Sequence, residues 1–325
     1  DGYGEFLTSD LSGQNKENYN KDVFAGRLTL EYSPNDDLFI RVNYDKTEDD
    51  SNAKGGYRLL PSLLTEAPVP NSVYDSYTSM PTWNKVETEG LSLTLEYFIN
   101  DFWSIKSVTA QRESYSPTNI DFDNTSLRIF DVPAIYDDEQ LSQEFQLNYD
   151  SDNLTLVSGA YYYDGESCGH FDAILEVLGN AIGLPGLTRE VRGCNNSESY
   201  AIYAQGSYNF TEQLSMTLGA RYTKEEKDAT VYNGLMFETL YPESDWVPGY
   251  VRDDEMINAA IPKVLDDSKK WSRFTPRVGI EYQYNQDMML FASYSQGFKS
   301  GTFNPRASGP EPAVDPEIVN SYEIG

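Results

Sequence analysis

The stretch WSRFTPRVGIEYQYNQDMMLFASYSQGFKSG, residues 271–301, decides the fold. In its first half Phe274, Pro276, Val278, Ile280, Tyr282 and Tyr284 share one parity. Thr275, Arg277, Gly279, Glu281 and Gln283 share the other. A period of two marks a strand with one apolar and one polar face. Tyr284-Asn285-Gln286-Asp287 then supplies a tight polar turn. The return run sets Met288, Leu290, Ala292 and Tyr294 against Met289, Phe291, Ser293 and Ser295, and closes on Gly297-Phe298-Lys299-Ser300-Gly301. After a polar, Pro-containing loop the chain resumes with PEIVNSYEIG, residues 316–325.

The same alternation recurs upstream. Phe24, Gly26, Leu28, Leu30 and Tyr32 oppose Ala25, Arg27, Thr29 and Glu31, and Leu38, Ile40, Val42 and Tyr44 follow a short turn. Further hairpins join 87–98 to 102–112, a run through Leu141, Phe145, Leu147 and Tyr149 to 153–163, and 198–209 to 213–224. Asp1 to Leu7 carries no charged-then-apolar leader and reads as the interior of a strand. About twelve strands are expected in all. Their connections alternate in length. Short turns fall near 34–37, 99–101, 150–152, 210–212 and 285–287. Long loops fall near 8–21, 46–86, 113–138, 164–197, 225–270 and 298–318. In an up-and-down sheet every second connection lies on one rim, so one rim is all turns and the other all loops. Transmembrane β-barrels have this asymmetry, with short periplasmic turns and long extracellular loops. A soluble sandwich is not expected to keep it over so many strands.

Composition agrees. No apolar run reaches the ~18 residues of a membrane helix, and mean hydropathy is -0.56. A β-barrel passes that test because only alternate residues face lipid. The 25 Tyr and 15 Phe suit its aromatic girdles. With 52 Asp+Glu against 24 Lys+Arg, and a formal net charge of -28, nucleic acid is excluded as a partner. Cys168 and Cys194, an even pair without metal-ligand spacing, point to one disulfide and an oxidising compartment. Closing that loop restrains the unfolded chain by about 3–4 kcal/mol on an entropy argument. Within it Phe171, Ile174, Leu175, Leu178 and Ile182 fall on one face of a short helix, which Gly183 and Pro185 would end.

The two signatures, Gly297-Phe298-Lys299-Ser300-Gly301 and Pro316-Glu317 with Ser321-Tyr322-Glu323-Ile324-Gly325, resemble those of TonB-dependent outer-membrane receptors. The resemblance covers essentially the whole chain and implies an all-β fold. The fold it implies is a partial transmembrane antiparallel up-and-down barrel, with residues 1–325 forming about half of such a receptor. It further implies that the plug, the TonB box ahead of it and the terminal strands lie outside this sequence. Function by resemblance is active import of a scarce nutrient across the outer membrane of a Gram-negative bacterium. Iron–siderophore complexes are the commonest cargo, with cobalamin, haem and glycans as others. The implied partners are outer-membrane lipid and lipopolysaccharide, a small-molecule or metal-chelate ligand, and the TonB–ExbB–ExbD system acting through the plug. A passive porin is the alternative of another class, and a secreted β-rich hydrolase or adhesin a third.

Catalysis has no support. His170 is the sole histidine, and no HExxH, P-loop or GxGxxG occurs. No cofactor and no metal site are expected. Asp121-Phe122-Asp123 opens like a calcium loop, but Ser126 stands where the loop needs Gly and Val132 where it needs the closing Glu. Acidic residues concentrate on the loop rim: Glu48, Asp49 and Asp50, then Asp121 and Asp123, then Asp137, Asp138 and Glu139, then Asp253, Asp254 and Glu255, then Asp266 and Asp267. These read first as solvated loops, with divalent ions bridging to lipopolysaccharide, and second as a field for a cationic or metal-bearing ligand or as groups that hold calcium. The inward parity carries Arg27, Glu31, Arg41, Glu96, Glu144, Gln146, Arg221, Arg277 and Glu281. They read either as a hydrated lumen or as charges pairing across strands. The candidates for ligand contact are the loop aromatics Tyr57, Trp83, Tyr136, Trp246 and Tyr250.

Overall fold

The structure, a computed structural model, describes residues 1–7, 15–65, 68–237 and 261–325. Trp246, Tyr250, Asp253, Asp254 and Glu255 lie outside the described residues. Two short strands, β1 (Gly4–Glu5) and β2 (Glu17–Asn18), pair only with each other. The remaining strands form one antiparallel sheet in sequential order. They are β3 (Val23–Asn35), β4 (Leu38–Asp49), β5 (Val86–Phe98), β6 (Trp103–Asp121), β7 (Asp131–Asp150), β8 (Leu154–Ile174), β9 (Thr188–Asn209), β10 (Leu214–Met236), β11 (Lys263–Asn285), β12 (Met288–Lys299) and β13 (Glu317–Ile324). Among the described residues the sheet thus has 11 strands, close to the twelve or so expected. The N-terminal stretch is too short in regular pattern to join it. Instead Phe6, 4% exposed, bridges Ser76 in parallel, and Leu7 N–H donates to the Ser76 carbonyl at 2.8 Å.

The alternation of connections is as expected, and all five tight turns lie at one end. The long connections are shorter than the sequence suggests, because the strands climb into them. β6 to β11 run for 19, 20, 21, 22, 23 and 23 residues. A tilted membrane strand needs about 9–11 residues. Roughly the outer half of each long strand therefore stands beyond the bilayer, where both faces meet water. Alternation of polarity disappears there although the hydrogen-bonded ladder continues. Asp137, Asp138, Glu139, Asp266 and Asp267 sit in strands, not loops.

The outward parity is apolar and uncovered. Leu28, Leu30, Phe145, Ile202, Leu218 and Phe274 are each more than half exposed, with no second layer over them among the described residues. Near the tight turns the outward aromatics cluster. Trp103 and Tyr149 rings lie 4.6 Å apart, Tyr208 and Phe210 4.9 Å apart. A second band includes Tyr162 and Tyr200, 5.0 Å apart. These are the two girdles of a membrane barrel. No helix among the described residues is long and apolar enough to cross a membrane.

The single helix described, α1 (Glu176–Ala181), tops the β8–β9 hairpin. It is shorter than the apolar spacing from Phe171 to Ile182 suggests, since Phe171 and Ile174 remain paired in β8. Gly183, at φ 76°, ends it as expected. The disulfide joins Cys168 to Cys194, which face each other in the β8–β9 register. It is a cross-strand rivet inside a ladder, not a staple across a free loop.

Candidate ligand-binding mouth

The inner face is built from the polar parity. Its charges largely pair across strands. Glu31 faces Arg41 in the β3–β4 register, and their side chains meet at 2.8 Å. Arg221 lies over the rings of Tyr161 and Tyr203, 5.4 and 5.7 Å from their centroids, and the Tyr203 hydroxyl donates to Glu144. Arg112 grips Asp45 with two hydrogen bonds of 2.9 and 3.2 Å across an intervening strand. Gly90 sits between them in the register and makes this possible, because a Cβ there would lie 2.7 Å from Arg112 Nη1.

Higher up, the inner face holds a polar cavity of about 490 Å³. Its wall includes Arg112, Asp138, Gln140, Tyr163, Asn195 and Lys227, and Thr302 roofs it. The roof belongs to the segment that leaves β12. Residues 300–316 fold back over the inner face instead of projecting outward. Phe303 (1% exposed), Ala307 and Ala313 bury against Ala229, Val231, Leu265 and Trp271. From this segment Arg306 reaches across to β7, donating to the Tyr136 hydroxyl at 3.3 Å, with its guanidinium 5.1 Å from the Phe171 ring centroid. The sheet is therefore curved enough for one connection to span its concave side.

Of the candidate aromatics, Tyr136 stands at this site, inward on β7 rather than in a loop. Tyr57 lies apart in the β4–β5 connection, where its hydroxyl donates to the Pro70 carbonyl at 3.3 Å, and Trp83 lies in the same connection. Arg306 is not singled out by the sequence reading, and Phe171 enters it only as part of an apolar helix face, whereas here it packs from β8 against Arg306. The one available signal was that Arg306 follows Gly297-Phe298-Lys299-Ser300-Gly301 closely. The signature residues do structural work: Gly297 pairs with Val319, Phe298 with Ile318 and Lys299 with Glu317, so the two signatures are partners in one ladder. Ser300 Oγ donates to Glu225, Tyr322 packs on Tyr294 at 4.9 Å, and Gly325 N–H donates to the Phe291 carbonyl at 3.0 Å. Pro316 immediately precedes that last strand, and Glu323 lies within it.

Two clusters of ionisable groups flank the mouth. His170 Nε2 lies 3.3 Å from Glu190 Oε1 and 3.9 Å from Asp172 Oδ1. Asp121, Asp123 and Asp131 gather where β6 ends and β7 begins. Burial first, then the neighbouring carboxylates, push Asp121 up to about 7 and Asp131 up to about 8.

An apolar outer face between two aromatic girdles, a polar inner face and a mouth at the loop rim define a transmembrane β-barrel of the receptor kind. The profile of the TonB dependent receptor-like β-barrel family matches residues 47–325, and the chain belongs to that family, whose members are outer-membrane transport receptors rather than enzymes. Among solved structures it resembles the ferric yersiniabactin uptake receptor of Yersinia pestis, with TM-score 0.69, 14% identity, and 95% of this chain and 43% of that one covered. It also resembles a siderophore receptor of Acinetobacter baumannii, with TM-score 0.61, 16% identity and 96% and 48% covered. The closed form of the ferric-catecholate import receptor of E. coli K12 matches with TM-score 0.59, 12% identity and 94% and 48% covered. At such identities the likeness is one of fold. A copper transporter and a peptide transporter share it. The chain spans less than half the length of each of these relatives.

Proposed function

We propose that residues 1–325 are part of the barrel of a receptor that imports a scarce nutrient, an iron–siderophore complex, across a Gram-negative outer membrane. The observation that carries this reading is the roofed polar cavity on the inner face. Its Arg112, Lys227 and Asp138 offer charge to a polar chelate, and Tyr136, Phe171 and Arg306 offer planar surfaces beside it. The three siderophore receptors of the same fold support the choice of cargo. In this reading a plug domain fills the concave side, and the TonB–ExbB–ExbD system acts on that plug to open a path. The outward apolar band sits in lipid and lipopolysaccharide. The barrel makes and breaks no bonds; it binds cargo and forms the wall of the path.

The test is uptake of radiolabelled iron by iron-starved cells carrying the full receptor, supplied with a panel of ferric siderophores. One siderophore is expected to give uptake that needs both the receptor and TonB. If no ferric chelate is taken up and expression ignores iron, the siderophore assignment fails. Ion conductance in planar bilayers without a partner would replace it with a passive pore.

A further inference from the structure

We propose that Asp121, Asp123 and Asp131, with Asn119 beside them, hold a hard divalent cation, calcium, at the outer end of β6 and β7. Asp121 and Asp131 are the last partners of the β6–β7 ladder, so two carboxylates stand directly opposite each other. Like charges in that position repel. Asp123 adds a third: one oxygen from each of the three lies within 4.8 Å of the others. Among the described residues none of the three makes an ion pair; Arg128, the cation of the same connection, reaches Glu176 at 3.4 Å and acts on Asp131 only through its field.

The second observation concerns oxygens that lack donors. Asp131 is fully buried, and its Oδ1 has no hydrogen-bond partner. Its Oδ2 accepts from Ser79 Oγ, so only half of this carboxylate is satisfied. Asn119, 3% exposed and two residues before Asp121 on the same face of β6, donates to the Pro81 carbonyl at 3.1 Å, while its Oδ1 also lacks a partner. A buried acceptor without a donor is costly, and two of them stand within two rungs of each other on the ladder that carries the carboxylates. A proton relieves one such oxygen. A cation relieves several together.

The donors fix the class of ion. All are oxygens, from carboxylates and a side-chain amide, with no thiolate or imidazole among them. That set suits calcium, which takes about six to eight oxygens in flexible geometry, better than softer metals. The site also joins distant parts of the chain. Ser79 N–H donates to Asp121 Oδ2 at 3.2 Å, so the β4–β5 connection already leans on this corner. A bound cation would pin that connection to the β6–β7 tip and stiffen one side of the mouth.

The experiment is calorimetric titration of calcium chloride into the full receptor, refolded in detergent free of lipopolysaccharide, with no transport readout. The folded wild type is expected to show one saturable site. Asp131→Asn and Asp123→Asn are each expected to weaken it about tenfold or more, since affinity follows the carboxylate count. Calcium should also slow hydrogen exchange in residues 75–82 and 119–131 of the wild type and not of the variants. Heat-modifiable migration checks that each variant is folded. If Asp131→Asn fails to fold, Asp123→Asn decides alone. Absence of saturable calcium binding by folded wild type, or unchanged affinity in the folded variants, overturns the proposal.

Discussion

At position 301 a β-carbon would lie 2.1 Å from the Val314 carbonyl oxygen and 2.6 Å from the Trp271 ring. Glycine there lets residues 300–316 turn back under Trp271 and seat Phe303 in the small core beneath the roof. The last glycine of the Gly297-Phe298-Lys299-Ser300-Gly301 signature thus has a packing reason independent of any ligand. Gly301→Ala forces either the ring or the backbone to move, and overpacking of this kind costs about 1–3 kcal/mol. The roof should loosen while the sheet survives. The check is hydrogen exchange across residues 300–316, with detergent melting of the whole barrel alongside. Faster exchange confined to that segment is the expected result. Protection equal to wild type would mean that the close approach at Gly301 does not hold the roof.

At the scale of elements, the disulfide is the instructive case. Cys168 and Cys194 were legible as a pair, and the short helix beyond them was partly legible. Their place in a ladder was not. β8 beyond Asp164 and β9 before Glu198 are polar or small on both faces, with Gly165, Ser167 and Asn195 on one and Glu166, His170 and Asn196 on the other, so the period of two that betrays a membrane strand is absent. Backbone pairing does not need that period, only a partner strand already in register from the bilayer upward. The membrane half of every strand was readable because lipid demands apolar outward residues. The outer half was unreadable because water demands nothing of either face. For the same reason the sequence around the inward Tyr136 reads as a loop, and the fold-back of residues 300–316 has no signal beyond its neighbouring glycine. Reduction tests the rivet. The pair closes a stretch of 26 in sequence separation, worth about 3–4 kcal/mol by loop entropy. The surrounding ladder already restrains the same residues, so the loss should stay local. Treatment with reductant, or Cys168→Ser with Cys194→Ser, should speed hydrogen exchange over 166–196 and leave the turn-side ends of β8 and β9 unchanged. Uniform destabilisation of the sheet would show instead that the outer hairpin supports the whole barrel.

For the whole molecule, the governing feature is a boundary running across the outward face. Below it the outward residues of β10 are Leu214, Met216, Leu218, Ala220 and Tyr222; above it they are Lys224, Glu226 and Asp228. Neighbouring strands change at matching rungs. Tyr222 faces Ile202 and Phe274, whereas Glu226 faces Glu198 and Lys270, which itself pairs with Glu226 at 2.7 Å. One strand therefore passes from lipid to water within about two rungs, and the same substitution should have opposite consequences on the two sides. Leu218, 52% exposed on the outer face, stands at the middle of the apolar run. Leu218→Arg should cost about 2–4 kcal/mol in lipid vesicles, the penalty for a guanidinium at the bilayer midplane. Asp228→Arg, also outward on β10, meets water and should stay within about 0.5 kcal/mol of wild type. Denaturant unfolding of the full receptor from vesicles, followed by tryptophan fluorescence, measures both. Equal costs at the two positions, or none at Leu218, would move the lipid boundary away from Tyr222 and Lys224 and undo the division of each long strand into a buried half and a protruding one.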